Sequence, residues 1–326
     1  MKKNITICVF AIAVLVGSVA VLHNKMGQHD AGLKRITVAQ YGDVFLYMPL
    51  YVAQDCGFFE TNGLHVSIVS TGGDDKTFAA VASGSAMFGI ADPAFAAIAY
   101  EKGFKGKVLG SIVNGVPFWG VTDNPKYVDI KTPEQFKSLR IATFPAPSTA
   151  YAMQSKMIKD VGAEASIVQI AFGGGLQALK NQRVDVSLEL EPNVSLALKQ
   201  GSYVSYSMAS MYKDFVFTGV TSSEKNIEQN PGIVNCFMRS INQALQYIHQ
   251  NPSNAVQCMC RRFKDVPQDV ADSALQRLLK EGTIPETTKV SNKAWQNSLV
   301  LREELGDLKS AKNGLPVLVP YNEEWE

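Results

Sequence analysis

The chain has 326 residues, 46% hydrophobic and 19% charged, enough to bury a large core and to form two domains rather than one. Its 31 Lys and Arg balance 30 Asp and Glu, so no overall field draws it to nucleic acid or to an anionic membrane surface.

The first segment is different in kind. MKKN is basic, Ile5 to Leu22 is almost continuously apolar, and Ser18-Val19-Ala20 offers small residues of the sort signal peptidase needs. Residues 1–32 are therefore expected to be an export signal and linker. The rival reading is an uncleaved inner-membrane anchor, because the apolar run approaches the ~18 residues at which a helix begins to span. Cys8 lies inside that run, too early for a lipidation site. On either reading the body lies outside the cytoplasm.

Four cysteines follow: Cys56, Cys236, Cys258 and Cys260. An oxidising compartment would allow disulfides, although a domain of this size does not depend on them. Cys258 and Cys260 are two apart on an expected helix, point to different faces and should not pair with each other. Only His65 and His249 remain beyond the export region and its linker, too few ligands for a metal site. Neither metal nor cofactor is expected.

The body repeats itself. LKRITVAQYG at 33–42 is echoed by SLRIATFPAP at 138–147, each a basic residue, an alternating apolar strand and a turn. Helical stretches follow at 50–59 and 149–161. Second strands come next, LHVSIVSTGG at 64–73 and ASIVQIAFGG at 165–174, both closing on paired glycines, then short helices at 77–84 and 176–182. Each half then runs through a short apolar stretch into an acid and a proline, FGIADPAF at 88–95 and VSLELEPN at 186–193. Strand, helix, strand, helix, strand at these spacings predicts βαβ crossovers, a parallel sheet covered on both faces, and two α/β lobes.

Between the lobes VNGVPFWGVT at 113–122 and DFVFTGVT at 214–221 are β-rich and end alike in GVT, which predicts two extended hinge strands side by side. The first lobe is then discontinuous, residues 33–118 plus 218–326, and the second is residues 119–217. Helices near 231–250, 253–263, 267–281 and 291–305 must return to the first lobe.

ITVAQ at 36–40, YMPLYVAQDCGFFETNGLHVSIV at 47–69, GGDDKTFAAVASGSAMFGIADPA at 72–94 and LELEP at 188–192 together resemble the periplasmic solute-binding proteins of ABC importers, in the branch serving sulfonates, nitrate and thiamine-pyrimidine precursors. The likeness runs over nearly all of residues 34–310. It implies an α/β, two-lobed type II periplasmic-binding-protein fold with two hinge strands and C-terminal helices on the first lobe. It also implies a monomeric periplasmic receptor that closes on a small solute and presents it to a membrane permease.

In open α/β sheets ligands bind beyond the carboxyl ends of the strands, so the candidate site residues are sought in the loops there. The first loop carries Tyr41, Asp43, Phe45 and Tyr47, and Phe95, Phe118 and Trp119 stand at matching places in the third loop and the hinge. Core packing is the ordinary role of such rings, and stacking on a flat solute is the functional one. Gly73 and Asp74, and Gly174 in FGGGLQ, would let backbone N–H groups approach a solute from both sides. Ser148 and Thr149 are ordinary caps, and the resemblance places solute-contacting hydroxyls at that turn. Asp92 reads as an N-cap before a first-turn proline. Glu is a poor N-cap, so capping does not explain Glu191, which is expected to face the ligand.

With Asp43, Asp92 and Glu191 at these loops and Lys76 the nearest base, a buried carboxylate needs a donor or cation as partner. The expected solute is flat and nitrogen-bearing, such as a thiamine-pyrimidine precursor; the alternative is a sulfonate- or nitrate-type anion at the opposed helix N-termini. A ligand-sensing module would use the same cleft. Some relatives are enzymes that build the thiamine pyrimidine with a cysteine-rich run and an essential histidine. Here QCMCRRF at 257–263 has no neighbouring histidine, and Ser222 and Lys225 in S-x-x-K spacing lack companion motifs, so catalysis is not expected.

Overall fold

A computed structural model describes residues 32–146 and 148–326. The expected export segment therefore lies outside the described residues. Among these residues no helix is long and apolar enough to cross a membrane.

Short helical turns aside, the chain runs β1 (Lys34–Gln40), α1 (Met48–Asp55), β2 (Leu64–Ser70), α2 (Asp74–Ser83), β3 (Phe88–Ala91), α3 (Ala94–Glu101), β4 (Gly106–Asn114) and β5 (Trp119–Thr122). It continues β6 (Arg140–Thr143), α4 (Thr149–Asp160), β7 (Ser166–Gln169), α5 (Gly175–Lys180), β8 (Val186–Glu189), α6 (Asn193–Lys199), β9 (Tyr203–Ser207) and β10 (Val216–Ser223). Four longer helices close it: α7 (Pro231–Gln250), α8 (Pro252–Arg262), α9 (Gln268–Lys280) and α10 (Asn292–Glu304).

Two five-stranded sheets result, in the orders β2-β1-β3-β10-β4 and β7-β6-β8-β5-β9. The same spatial pattern occurs twice, which is the structural form of the sequence repeat. The sheets are mixed rather than parallel. β1 runs parallel to β2 and β3, and β6 to β7 and β8. β10 is antiparallel to β3 and β4, and β5 to β8 and β9. The reason is the crossing itself: a strand arriving from the other half enters at the end where its neighbours' carboxyl ends lie, and must run the opposite way.

The two GVT runs are consequently not paired with each other. Residues 120–122 lie in β5 of the second sheet and 219–221 in β10 of the first, which begins two residues before the expected boundary. The segments that cross are 115–118 and 208–215, and they touch where the Gly115 N–H donates to the Phe215 carbonyl at 2.8 Å. Gly115 has φ +67°, a left-handed turn that glycine adopts without strain.

Helices α7, α8 and α10 pack back onto the first half, whereas α9 packs on α8 and also on α6 of the second half, with Arg277 reaching Glu191. In α7 Val234, Phe237, Met238, Ile241, Leu245 and Ile248 recur at spacings of three and four and are all buried. Phe237 stacks on Phe88 of β3 at 4.1 Å and on Phe59 at 5.2 Å. Proline at the first position starts both α7 and α8, where its missing N–H costs nothing.

Candidate functional site

The carboxyl ends of the two sheets face one another across a cleft. Its cavity, about 60 Å³, is lined from the first half by Tyr41, Val44 and Tyr47 after β1, Asp74 at the start of α2, Asp92 after β3, and Phe217 and Thr218 of β10. Phe118 comes from the crossing segment before β5, and from the second half come Phe144 after β6, Ser148, Thr149 and Ala150 at the start of α4, Phe172 after β7 and Leu190 after β8. A site holding one water needs about 10–15 Å³ by this kind of measure, so the space suits a small solute.

Asp92 is the junction of the site. Its Oδ1 accepts from the Ala94 N–H at 2.9 Å, satisfying the first N–H of α3 from the residue before the Pro93 N-cap. Its Oδ2 accepts from Arg302 Nη2 of α10 at 2.6 Å and from Thr149 Oγ1 at 2.8 Å. Arg302 Nη2 also donates to Thr149 Oγ1 at 2.8 Å, and Nη1 to Asp307 at 3.1 Å. Arg302 is 1% exposed. The buried carboxylate is thus fully partnered by the protein, and its contact with Thr149 spans the cleft.

Asp74 is the other cleft carboxylate. Its Oδ1 accepts from the Asp92 N–H at 3.0 Å. Burial first, and then the Asp92 charge beside it, push its pKa up to about 6. Neither Arg302 nor Arg277 lines the cavity, so Asp74 and Asp92 are its charged residues. Tyr47 is 4% exposed, and burial together with the Asp74 charge raises its hydroxyl pKa well above the ordinary value, keeping it a donor.

Four phenylalanines form a connected series along the cleft. Phe217 meets Phe118 at 5.4 Å, Phe118 meets Phe144 at 5.9 Å, and Phe144 meets Phe172 at 5.2 Å. Phe172 is 57% exposed, a large uncovered ring at the cleft mouth.

Of the residues expected here, the structure brings Tyr41, Tyr47, Asp74, Asp92, Ser148 and Thr149 to the cavity. The other seven do not line it. Asp43 is exposed and accepts from Gln40 Nε2 at 2.9 Å. Phe45 is 2% exposed and packs on Phe263, making it core. Phe95 lies under the Arg302 guanidinium at 5.0 Å. Trp119 is fully buried, its Nε1 donating to Glu281 at 2.9 Å. Gly73 and Gly174 are the residues preceding the first turns of α2 and α5.

Glu191 corrects the expectation most instructively. Its Oε2 accepts from the Ser195 N–H at 3.0 Å, and its Oε1 accepts from Ser195 Oγ at 2.9 Å and from Arg277 Nε of α9 at 2.7 Å. Its carboxylate therefore satisfies a first-turn N–H of α6 after all, one residue before the proline. Burial pushes its pKa up, and Ser195 and Arg277 pull it back. Nor does Glu191 occupy the place of Asp92. The two GVT ladders put Gly219 opposite Ala91 and Gly120 opposite Leu188, so the residue matching Asp92 is Glu189. Glu189 is buried and accepts from Ser187 Oγ at 2.7 Å and Asn193 Nδ2 at 3.0 Å. Gly175 allows this, since a Cβ there would collide with the Glu189 carboxylate.

Sequence reasoning had Phe118 in view but left out Val44, Phe144, Ala150, Phe172, Leu190, Phe217 and Thr218. The available signal was position, because each stands at or beside a strand end that faces the other half. Among the described residues no group of three or more His, Cys, Asp or Glu side chains is placed to hold a metal ion.

The model of the family described as NMT1/THI5 like matches residues 45–255. The chain belongs to the NMT1/THI5-like family. Among curated proteins, this NMT1/THI5-like chain is 21% identical over 306 residues to YtlA of Bacillus subtilis (strain 168), a protein named as a binding protein, covering 91% of this chain and 89% of YtlA. Among solved structures it is similar to the periplasmic aliphatic sulphonate binding protein SsuA from Escherichia coli, with TM-score 0.71, 16% identity and 88% and 92% of the two chains covered. It is also similar to the alkanesulfonate-binding protein SsuA from Xanthomonas axonopodis pv. citri bound to MOPS, with TM-score 0.68, 15% identity and 89% and 99% covered. The fold of this family member is that of the periplasmic binding proteins.

Proposed function

We propose that the protein is a periplasmic, monomeric solute-binding component of an ABC importer, in which the halves 33–118 plus 216–326 and 119–215 close on a small solute and deliver it to a membrane permease. The family, the fold and the binding-protein relatives support this over catalysis. The solute class follows from the cleft. Its charged residues are two carboxylates, one of them already satisfied by Arg302 and Thr149, and its walls are phenyl and phenol rings. Asp74 is left as an acceptor without a cation of its own in the cavity. That observation carries the reading: a flat solute with N–H donors, of the aminopyrimidine class, stacked among the rings and donating to Asp74.

A second reading has one specific support. Ser148, Thr149 and Ala150 bring the N-terminus of the twelve-residue α4 to the cavity, and helix N-termini attract anions. An alkanesulfonate or nitrate would bind there, as the sulfonate-binding structural relatives suggest.

A ligand that binds the folded state raises its melting temperature. A thermal-shift screen with 4-aminopyrimidines, aliphatic amines, alkanesulfonates and nitrate therefore tests the reading. Stabilisation by the aminopyrimidines is expected, and stabilisation by the sulfonates alone would overturn it.

A further inference from the structure

Away from the cleft, α1 ends at Cys56, which lies against Cys258 in the second turn of α8. Their Sγ atoms are 3.1 Å apart although the residues are 202 apart in sequence. Cys56 is half-buried and Cys258 is buried. Arg261, one turn on, donates from Nη2 to Cys258 Sγ at 3.0 Å, so a positive charge stands against that sulfur.

The surroundings hold the two helices in this register. Arg262 Nη2 donates to Gln54 Oε1 at 2.7 Å and stacks over the Tyr51 ring at 4.2 Å. Phe263 packs on both Phe45 and Tyr51, at 5.6 and 5.9 Å. Tyr51 in turn donates to Gln40 Oε1 and accepts from the Val44 N–H, and Val44 lines the cleft. The α1–α8 contact is thus the back wall of the first half of the cleft. Among the described residues Cys56 and Cys258 are the pair of cysteines whose sulfurs are in contact, so these two thiols are singled out by geometry.

We infer that Cys56 and Cys258 are a redox-active pair that forms an intramolecular disulfide, stapling α1 to α8 behind the cleft wall. The oxidant is a small disulfide, R–S–S–R. The Cys56 thiolate, on the more accessible residue, attacks one sulfur of R–S–S–R, releasing RS⁻ and forming a mixed disulfide. The Cys258 thiolate then attacks Cys56 Sγ, expelling the second RS⁻ while Arg261 stays beside the sulfur. The two cysteine protons end on the two released thiolates, so two thiols are oxidised and one external disulfide is reduced. Burial, followed by the neighbouring Cys258 thiol, pushes the Cys56 thiol up to about 12, so the first step should speed up as pH rises.

The test uses the full-length chain, equilibrated with oxidised glutathione, alkylated and digested without reduction. The expected result is a cross-linked peptide pair joining Cys56 to Cys258 that vanishes on reduction and survives Cys236→Ser and Cys260→Ser. A melting temperature higher by roughly 5 °C in the oxidised wild type than in the reduced one should accompany it, because the link closes a long loop. Full alkylation of both thiols after oxidation would overturn the inference, as would a cross-link from either to any other cysteine. Wild-type mapping needs no variant, so failure of a serine variant to fold does not blunt the test. Its outcome is independent of which solute the cleft takes.

Discussion

Thr149 Oγ1 donates to Asp92 Oδ2 at 2.8 Å, joining the first turn of α4 in the second half to the end of β3 in the first. Both residues are buried and both line the cavity, so a contact between the halves is also part of the wall that would hold a solute. A bond made only when the halves are together favours the closed state by about its net strength, ~1 kcal/mol.

Replacing Thr149 with valine keeps the shape and removes that bond, together with the one Thr149 Oγ1 accepts from Arg302 Nη2. Asp92 retains Arg302 and the Ala94 N–H, so folding should change little. Solute affinity is expected to fall ~5-fold, the equivalent of ~1 kcal/mol. Parallel calorimetry and thermal melts check this. A large loss of melting temperature with unchanged affinity would assign Thr149 to the fold alone.

Glu191→Gln should behave in the reverse way. The carboxylate serves Ser195 and Arg277 and does not line the cavity, so losing its charge weakens an ion pair and a helix start. A stability loss of ~1–3 kcal/mol is expected, with affinity falling only by the share of the Arg277 pair that favours closure, since that pair also joins the two halves. Denaturant unfolding beside a binding isotherm separates the two, and weakened binding at unchanged stability would return Glu191 to the site.

Phe172→Ala removes a ring that is already 57% exposed, so it should cost little stability. If a flat solute stacks there, affinity should drop by ~0.5–1.5 kcal/mol, while a small inorganic anion would not register the change. Competition binding on the variant shows which holds.

The sequence pattern carried the repeat, the two α/β halves and the location of the cleft, because strand and helix periods and glycine turns are local features. It did not carry the antiparallel members β5 and β10, whose direction depends on where the crossing strand enters its sheet. It read the acids as unpartnered because their cations come from far along the chain. Arg302 lies 210 residues beyond Asp92, and Arg277 lies 86 beyond Glu191. The rings were misassigned for a similar reason. Phe45 and Trp119 belong to the core while Phe144, Phe172 and Phe217 face the cavity, a choice set by the packing of α8 and α9 that no local pattern records.

Asp74 makes the protein sensitive to pH in a defined direction. Its folded pKa, about 6, lies above the ordinary carboxylate value of 3.8. Between those values the folded chain holds a proton that the unfolded chain has released, so this group's contribution to stability falls as pH rises from about 4 to about 6. A solute that donates to the carboxylate favours the charged form, and its affinity should rise over pH 5 to 7.5. Melts and isotherms across that range on wild type and Asp74→Asn test both statements, the variant being expected to flatten each profile. Tighter binding at pH 5 would contradict the donor assignment.

The central claim is that Asp74 and the phenylalanine series select a flat, N–H-bearing solute over an anion. Titration calorimetry of the wild type with a 4-aminopyrimidine and with an alkanesulfonate, repeated on Asp74→Asn, tests it most directly. Aminopyrimidine binding that weakens at least ~10-fold in the variant, the equivalent of ~1.4 kcal/mol, is the expected result. Tight binding of the sulfonate alone, unchanged or improved by removing the Asp74 charge, would contradict the account.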